Sequence, residues 1–176
     1  SHGAGASATG ASQSDERRRE DDDQAQELLD RGNRYRTGDG VGQDFEEAAR
    51  CFLRVAEMGY EVAQYNLGVF YEQGKGVPQD ITEAAHWYRL SADQGYPEAQ
   101  YNLAVFCQDG TGVPQDSVEA VRLYRLTADA GHASAQYNLG CSYRDGQGVE
   151  QDFAEAARLF EQAAAQDHAA AQTGLG

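Results

Sequence analysis

"GKGVPQD", Gly74–Asp80, is the stretch on which the reading of this chain turns. Glycines two apart in a polar loop suit a phosphate cradle. They suit a bend between two helices equally well. The choice is made by repetition. The loop returns as "GTGVPQD" at 110–116 and "GQGVEQD" at 146–152, and begins earlier as "GDGVGQD" at 38–44. Each step is 36 residues. A segment recurring at a fixed period in this range signals stacked units, none of which buries its apolar face alone.

The flanks repeat as well. "AQYNLGVFYEQ" starts at Ala63, "AQYNLAVFCQD" at Ala99 and "AQYNLGCSYRD" at Ala135. After each loop comes an alanine-rich segment, such as "ITEAAHWYRLSADQG" at 81–95. Ala63, Leu67 and Tyr71 fall at i, i+4 and i+8, on one side of a 3.6-period helix. Ala84, Ala85, Tyr88 and Ala92 do the same in the second segment. The repeats are 27–62, 63–98, 99–134 and 135–170, with a partial fifth at 171–176.

The loop then has a mechanical account. Gly38, Gly74, Gly110 and Gly146 follow the first helix, where a left-handed residue ends it at low cost. Pro78 and Pro114 forbid continuation. Asp44/Glu47, Asp80/Glu83, Asp116/Glu119 and Asp152/Glu155 read as acidic capping boxes opening the second helix. Those aspartates already occupy the amides that a phosphate would need. Gly59, Gly95 and Gly131 end the second helices, with Asp167 in that place in the last repeat.

Composition narrows the function. The formal net charge is -15, which repels a phosphate backbone and speaks against nucleic acid as partner. A basic or neutral-apolar protein or peptide fits better. Mean hydropathy is -0.70, and no apolar run nears the ~20 residues of a membrane span, so no insertion is expected. The first 24 residues are Gly/Ala/Ser-rich and then mixed-charge, and read as a disordered tail or linker, leaving 25–176 as the repeat domain. They lack the apolar centre of a signal peptide. Cys51, Cys107 and Cys141 have neither an even count nor CxxC spacing.

No cofactor or metal is called for. His132 and His168 occupy equivalent positions but lack a third ligand. The only lysine is Lys75, and Glu72 stands three residues before it, which excludes a Ser-x-x-Lys nucleophile. No catalytic set emerges, and an enzyme is not expected.

These repeats resemble the Sel1-like repeat family, a relative of tetratricopeptide repeats. The match is Ala, Leu-Gly and Tyr in the first helix, then G-x-G-V-x-x-D, then an alanine-rich second helix ending in Gly, as at 63–95. It covers 27–170. The resemblance implies an all-α fold: a right-handed α-α superhelix, or solenoid, of four helix-turn-helix repeats. It implies an adaptor for protein complexes, with members in bacterial signalling, host interaction and eukaryotic protein quality control. Some secreted members carry two cysteines per repeat; no repeat here does, which favours the cytoplasm. Repeat 1 has Arg31 where Leu67 stands, as a polar capping repeat would.

By analogy with tetratricopeptide stacks, the first helices line a concave groove. Its expected residues are Tyr65, Asn66, Val69, Glu72 and Gln73; Tyr101, Asn102, Val105, Gln108 and Asp109; and Tyr137, Asn138, Cys141, Arg144 and Asp145. Leu29, Asn33, Arg36 and Thr37 extend it into repeat 1. Tyr and Asn recur and suit either an extended peptide or packing between repeats. Glu72, Gln108 and Arg144 vary and suit specificity. This groove has no lysine, and its arginines, Arg36 and Arg144, lie in the outer repeats, so capture of a terminal carboxylate is not expected. The alternative reading is a structural module that self-associates through its solenoid ends.

Overall fold

The computed structural model describes residues 7–166. Among these the chain forms eight helices and no strand: α1 (Ser7–Thr37), α2 (Phe45–Glu57), α3 (Glu61–Gln73), α4 (Ile81–Asp93), α5 (Pro97–Asp109), α6 (Ser117–Asp129), α7 (Ala133–Asp145) and α8 (Phe153–Ala164). Each helix packs chiefly on the ones before and after it in the chain. The result is an open α-solenoid rather than a closed bundle. Among the described residues no helix is long and apolar enough to cross a membrane. The expected fifth repeat at 171–176, with Asp167 and His168, lies outside them.

The "QD" of each loop holds two helices at once. Asp80 Oδ1 accepts the amides of Thr82 and Glu83 at 3.0 Å, capping α4. Asp44 and Asp152 cap α2 and α8 in the same way, and Asp116 caps α6 through the Glu119 amide alone, a contribution of about 1 kcal/mol each. The preceding glutamine points the other way. Gln79 Nε2 donates to the last-turn carbonyl of Glu72 at 2.8 Å, and Gln43, Gln115 and Gln151 do likewise to Arg36, Gln108 and Arg144.

The capping box is only half realised. The cap's own amide does not take the glutamate: Asp80 N–H donates to Tyr71 O in the preceding helix at 3.0 Å. Three of the glutamates turn instead to an arginine one turn on. Glu47 pairs with Arg50, Glu119 with Arg122 and Glu155 with Arg158. An exposed carboxylate gains more from a guanidinium fork than from an amide that a carbonyl already satisfies.

The two loop glycines do different work. Gly74 closes α3 in the left-handed region, φ 64°, and its amide donates to Phe70 O. Gly76, also left-handed at φ 69°, lies against the first turn of α2. A Cβ there would overlap the Phe45 carbonyl. Gly112 and Gly148 make the same approach to Ile81 and Ser117. The second glycine is therefore where one repeat seats on the one before it.

In repeats 1, 2 and 4 a ring from the second helix sits on a glycine of the first. Tyr88 covers Gly68, and Phe52 and Phe160 cover Gly32 and Gly140. A Cβ at Gly68 would stand 2.6 Å from the Tyr88 ring. Ala63, Leu67, Phe70, Ala84, Ala85, Tyr88 and Ala92 are buried as their periodicity requires, and Tyr71 is half-buried. Burying such side chains is worth about 1.5–3 kcal/mol for each large one. Gln64, Gln100 and Gln136 are buried too, each donating to a carbonyl (Ala56, Ala92, Ala128) of the preceding helix at 3.2 Å.

The largest departure from expectation is the N-terminus. The segment read as a disordered tail is helical from Ser7, in register with α1. Residues 13–24 are exposed, and Ala25 is the first buried side chain, so tertiary packing does not impose this helix. The sequence permits it: the segment has no proline, and Arg17/Asp21, Arg18/Asp22 and Arg19/Asp23 stand four apart, where opposite charges are neighbours on a helix. Tyr60 also donates its hydroxyl to Asp22 and ties the extension to the α2–α3 junction.

Candidate peptide-binding face

The odd-numbered helices bring the expected groove residues onto successive rungs. The tyrosines are half-buried and held in place. Tyr65 lies 5.8 Å from the Tyr88 ring and 5.1 Å from Tyr96. Burial and nearby Glu98 and Glu72 push its phenol up, against a hydrogen bond from Asn102. Tyr101 stacks on His132 at 4.6 Å and accepts from Asn138 Nδ2 at 3.4 Å. Tyr137 lies 5.4 Å from Phe160. The tyrosine rings thus pack within their own repeats, and an asparagine of the next repeat, Asn102 or Asn138, reaches the phenol of Tyr65 or Tyr101. The half-buried valines Val69 and Val105 rest on the same core.

The variable positions are less free than their sequence suggested. Glu72 accepts the Tyr88 hydroxyl at 2.5 Å, and Gln108 accepts that of Tyr124 at 2.7 Å. Arg144 forms a fork with Asp145 at 2.7 and 2.9 Å, which holds the Asp145 carboxyl below its ordinary range. Gln73 and Asp109 are exposed; Asn66, Asn102 and Asn138 are half-buried.

Cys141 is half-buried and free, its thiol pushed up by burial. Cys51 and Cys107 are free and buried, and are raised for the same reason. Among the described residues no three His, Cys, Asp or Glu side chains converge as metal ligands. His132 instead caps α7, its Nδ1 accepting the Ala135 amide at 3.1 Å.

Sequence reasoning passed over one member of this face. Lys75 belongs to a loop, not to a groove helix, yet it lines the same cavity as Arg36, Val69 and Gln73. A helical wheel cannot place a loop side chain. The opposite, even-numbered face carries exposed apolar residues of its own, among them Val118 and Leu126 beside a cavity of about 390 Å³.

Comparison with known proteins places this architecture. The Sel1 repeat matches residues 28–60, 62–96, 97–132 and 133–168, one match for each helix pair. The chain is similar to c5321, a protective antigen of uropathogenic Escherichia coli strains displaying an SLR fold: 39% identity, TM-score 0.80, covering 84% of this chain and 32% of that one. It is similar also to a Sel1 repeat protein from Oxalobacter formigenes: 32% identity, TM-score 0.82, covering 86% of this chain and 62% of that one. The chain thus spans less than two thirds of the length of either. No curated protein sequence matches it. With four tandem copies matched and the solenoid they build in view, the chain belongs to the Sel1 repeat family.

Proposed function

We propose that this chain is a non-catalytic scaffold that binds an extended protein segment along the face of α1, α3, α5 and α7. Sel1 repeat proteins generally mediate protein interactions. The observation that carries the finer reading is the fixing of the tyrosine rungs. Tyr101 is held by Tyr124, by the His132 stack and by Asn138, so its exposed part is rigid before any ligand arrives. Binding to such a surface costs little side-chain entropy. Exposed Gln73 and Asp109 flank the rungs and supply polar contacts.

Selection of binders from a library of short random peptides tests this. Val105→Glu with Asp109→Arg should abolish binding, while Arg122→Glu on the even-numbered face should not. Equal binding by both variants would remove this face from consideration.

A second reading rests on Phe153. Phe45, at the same repeat position, packs edge-on against Phe70 of the next repeat at 6.2 Å. Phe153 is 65% exposed. An apolar ring exposed to this extent supports self-association. Light scattering across concentration, with Phe153→Asp as control, decides it: a strict monomer at high concentration excludes this reading.

A further inference from the structure

The junction of the first two repeats holds a cavity of about 370 Å³ between the end of α1 and the loop after α3. Arg36 and Lys75 line it with Gln43, Gln73, Phe45 and Val69, and no carboxylate does. In a chain of net charge -15 that is unusual company for two cations. Neither takes part in any ion pair among the described residues. Arg36 reaches only the neutral Asn33 Oδ1, at 3.2 and 3.4 Å. Lys75 Nζ stands 5.7 Å from the Phe45 ring centre.

The later junctions are different. Where Arg36 and Lys75 stand, the next junction has Glu72 and Thr111, and the third has Gln108 and Gln147. Gln73 becomes Asp109 and then Asp145. At the far end of the face Arg144 stands in the place of Arg36, but it is forked to Asp145, so cations without an acidic partner are found at the first junction.

We infer that this cavity receives the C-terminal carboxylate of a peptide whose last residue is apolar. The inference rests on the peptide-binding reading above and gives the ligand a direction. Two cations supply the charge complement, and Arg36 offers a fork that suits a carboxylate. Phe45 and Val69 supply an apolar wall. A terminal residue carries its carboxylate and side chain on one Cα and so meets both within one residue's span. An internal Asp or Glu does not. Its neighbours along an extended chain point to the opposite face, leaving the apolar wall unfilled. Upstream residues then pass exposed Asp109, which favours a basic side chain there.

The test uses two peptide libraries on the intact chain, one displayed with free C-termini and one with blocked ends. Enriched sequences are synthesised as the free acid and as the C-terminal amide, and their affinities compared by fluorescence anisotropy. The free acid should bind at least about tenfold more tightly, about 1.4 kcal/mol. Arg36→Ala or Lys75→Ala should erase that difference with helical content unchanged, and Lys75→Arg should restore most of it. Acid and amide binding alike, with Val105→Glu still disruptive, overturns the inference and leaves the binding face standing. Selection of internal acidic residues from the blocked library, with binding lost in Lys75→Ala, also overturns it. No binder from either library overturns both readings.

Discussion

Tyr88 donates its hydroxyl to Glu72 across the α3–α4 pair at 2.5 Å, and Tyr124 repeats this bond to Gln108 in the next unit. The outer repeats put Phe52 and Phe160 at that place, and there the first helix carries Arg36 and Arg144. Where the ring carries a hydroxyl, the residue 16 before it is an acceptor; where it does not, that residue is an arginine, bonded instead to Asn33 or Asp145. Burial, then the Glu72 bond, pushes the Tyr88 phenol far above its ordinary value, so it remains a donor throughout the working range.

Removing that hydroxyl strands the acceptor. Tyr88→Phe should cost about 1–3 kcal/mol, because the half-buried Glu72 carboxylate loses its donor. Adding Glu72→Arg, which copies the outer repeats, should recover most of the loss. Urea unfolding of the double-mutant cycle measures the coupling. Additive effects would mean the pairing is not energetic.

The seating glycine should be far less replaceable than a glycine that only turns the chain. Gly76→Ala meets the Phe45 backbone, which cannot step aside. Gly59→Ala meets nothing within 4 Å and carries only the penalty of its φ of 98°. The second should cost about 1 kcal/mol. The first should cost more, by the amount needed to separate adjacent repeats. Thermal melts of both variants compare them directly.

Acid should loosen the α4–α6 contact. The Glu119 carboxyl is held below its ordinary value of 4.5, first by Arg122 and then, more weakly, by Arg89 at 3.7 Å on the preceding repeat. A depressed carboxyl contributes stability that is present above the unfolded value and lost as pH falls through the folded one. Glu119→Gln should therefore flatten the acid limb of the stability curve below about pH 4.5 and leave its neutral portion lower. The guanidiniums are about half exposed, so the effect should stay under about 1 kcal/mol.

Alkali should report on the long α1. The Tyr60 phenol is pushed up to about 12, chiefly by its hydrogen bond to Asp22. Its contribution is whole below the ordinary value of 10.0 and is lost as pH rises through about 12. Asp22→Asn should bring Tyr60 back toward that ordinary value in an ultraviolet titration, with Tyr60→Phe as the blank. No change would show that α1 does not reach the α2–α3 junction in solution.

Much of this fold was legible in the chain, for a local reason. Asp80 and Gln79 satisfy helix ends within seven residues of themselves, so their pattern is written where it acts. Burial of Leu67 and Tyr88 followed from periodicity alone. The helical tail was not read, because a Gly/Ala/Ser-rich start followed by mixed charge pointed to disorder. The groove was harder. Glu72 and Gln108 vary like specificity residues, yet both answer to a tyrosine hydroxyl on the next helix.

What the sequence by itself determined is the repeating unit: its period, its caps and the small residues under its rings, all set by hydrogen bonds and contacts between near neighbours in the chain. What only the tertiary structure decided is how one unit meets the next. Arg36 and Lys75 are separated by a helix, two loops and another helix, and neither position is a core position. They share a cavity because Gly76 lets the second loop close onto the first turn of α2. That meeting is fixed by shape between repeats, and no local spacing of residues records it.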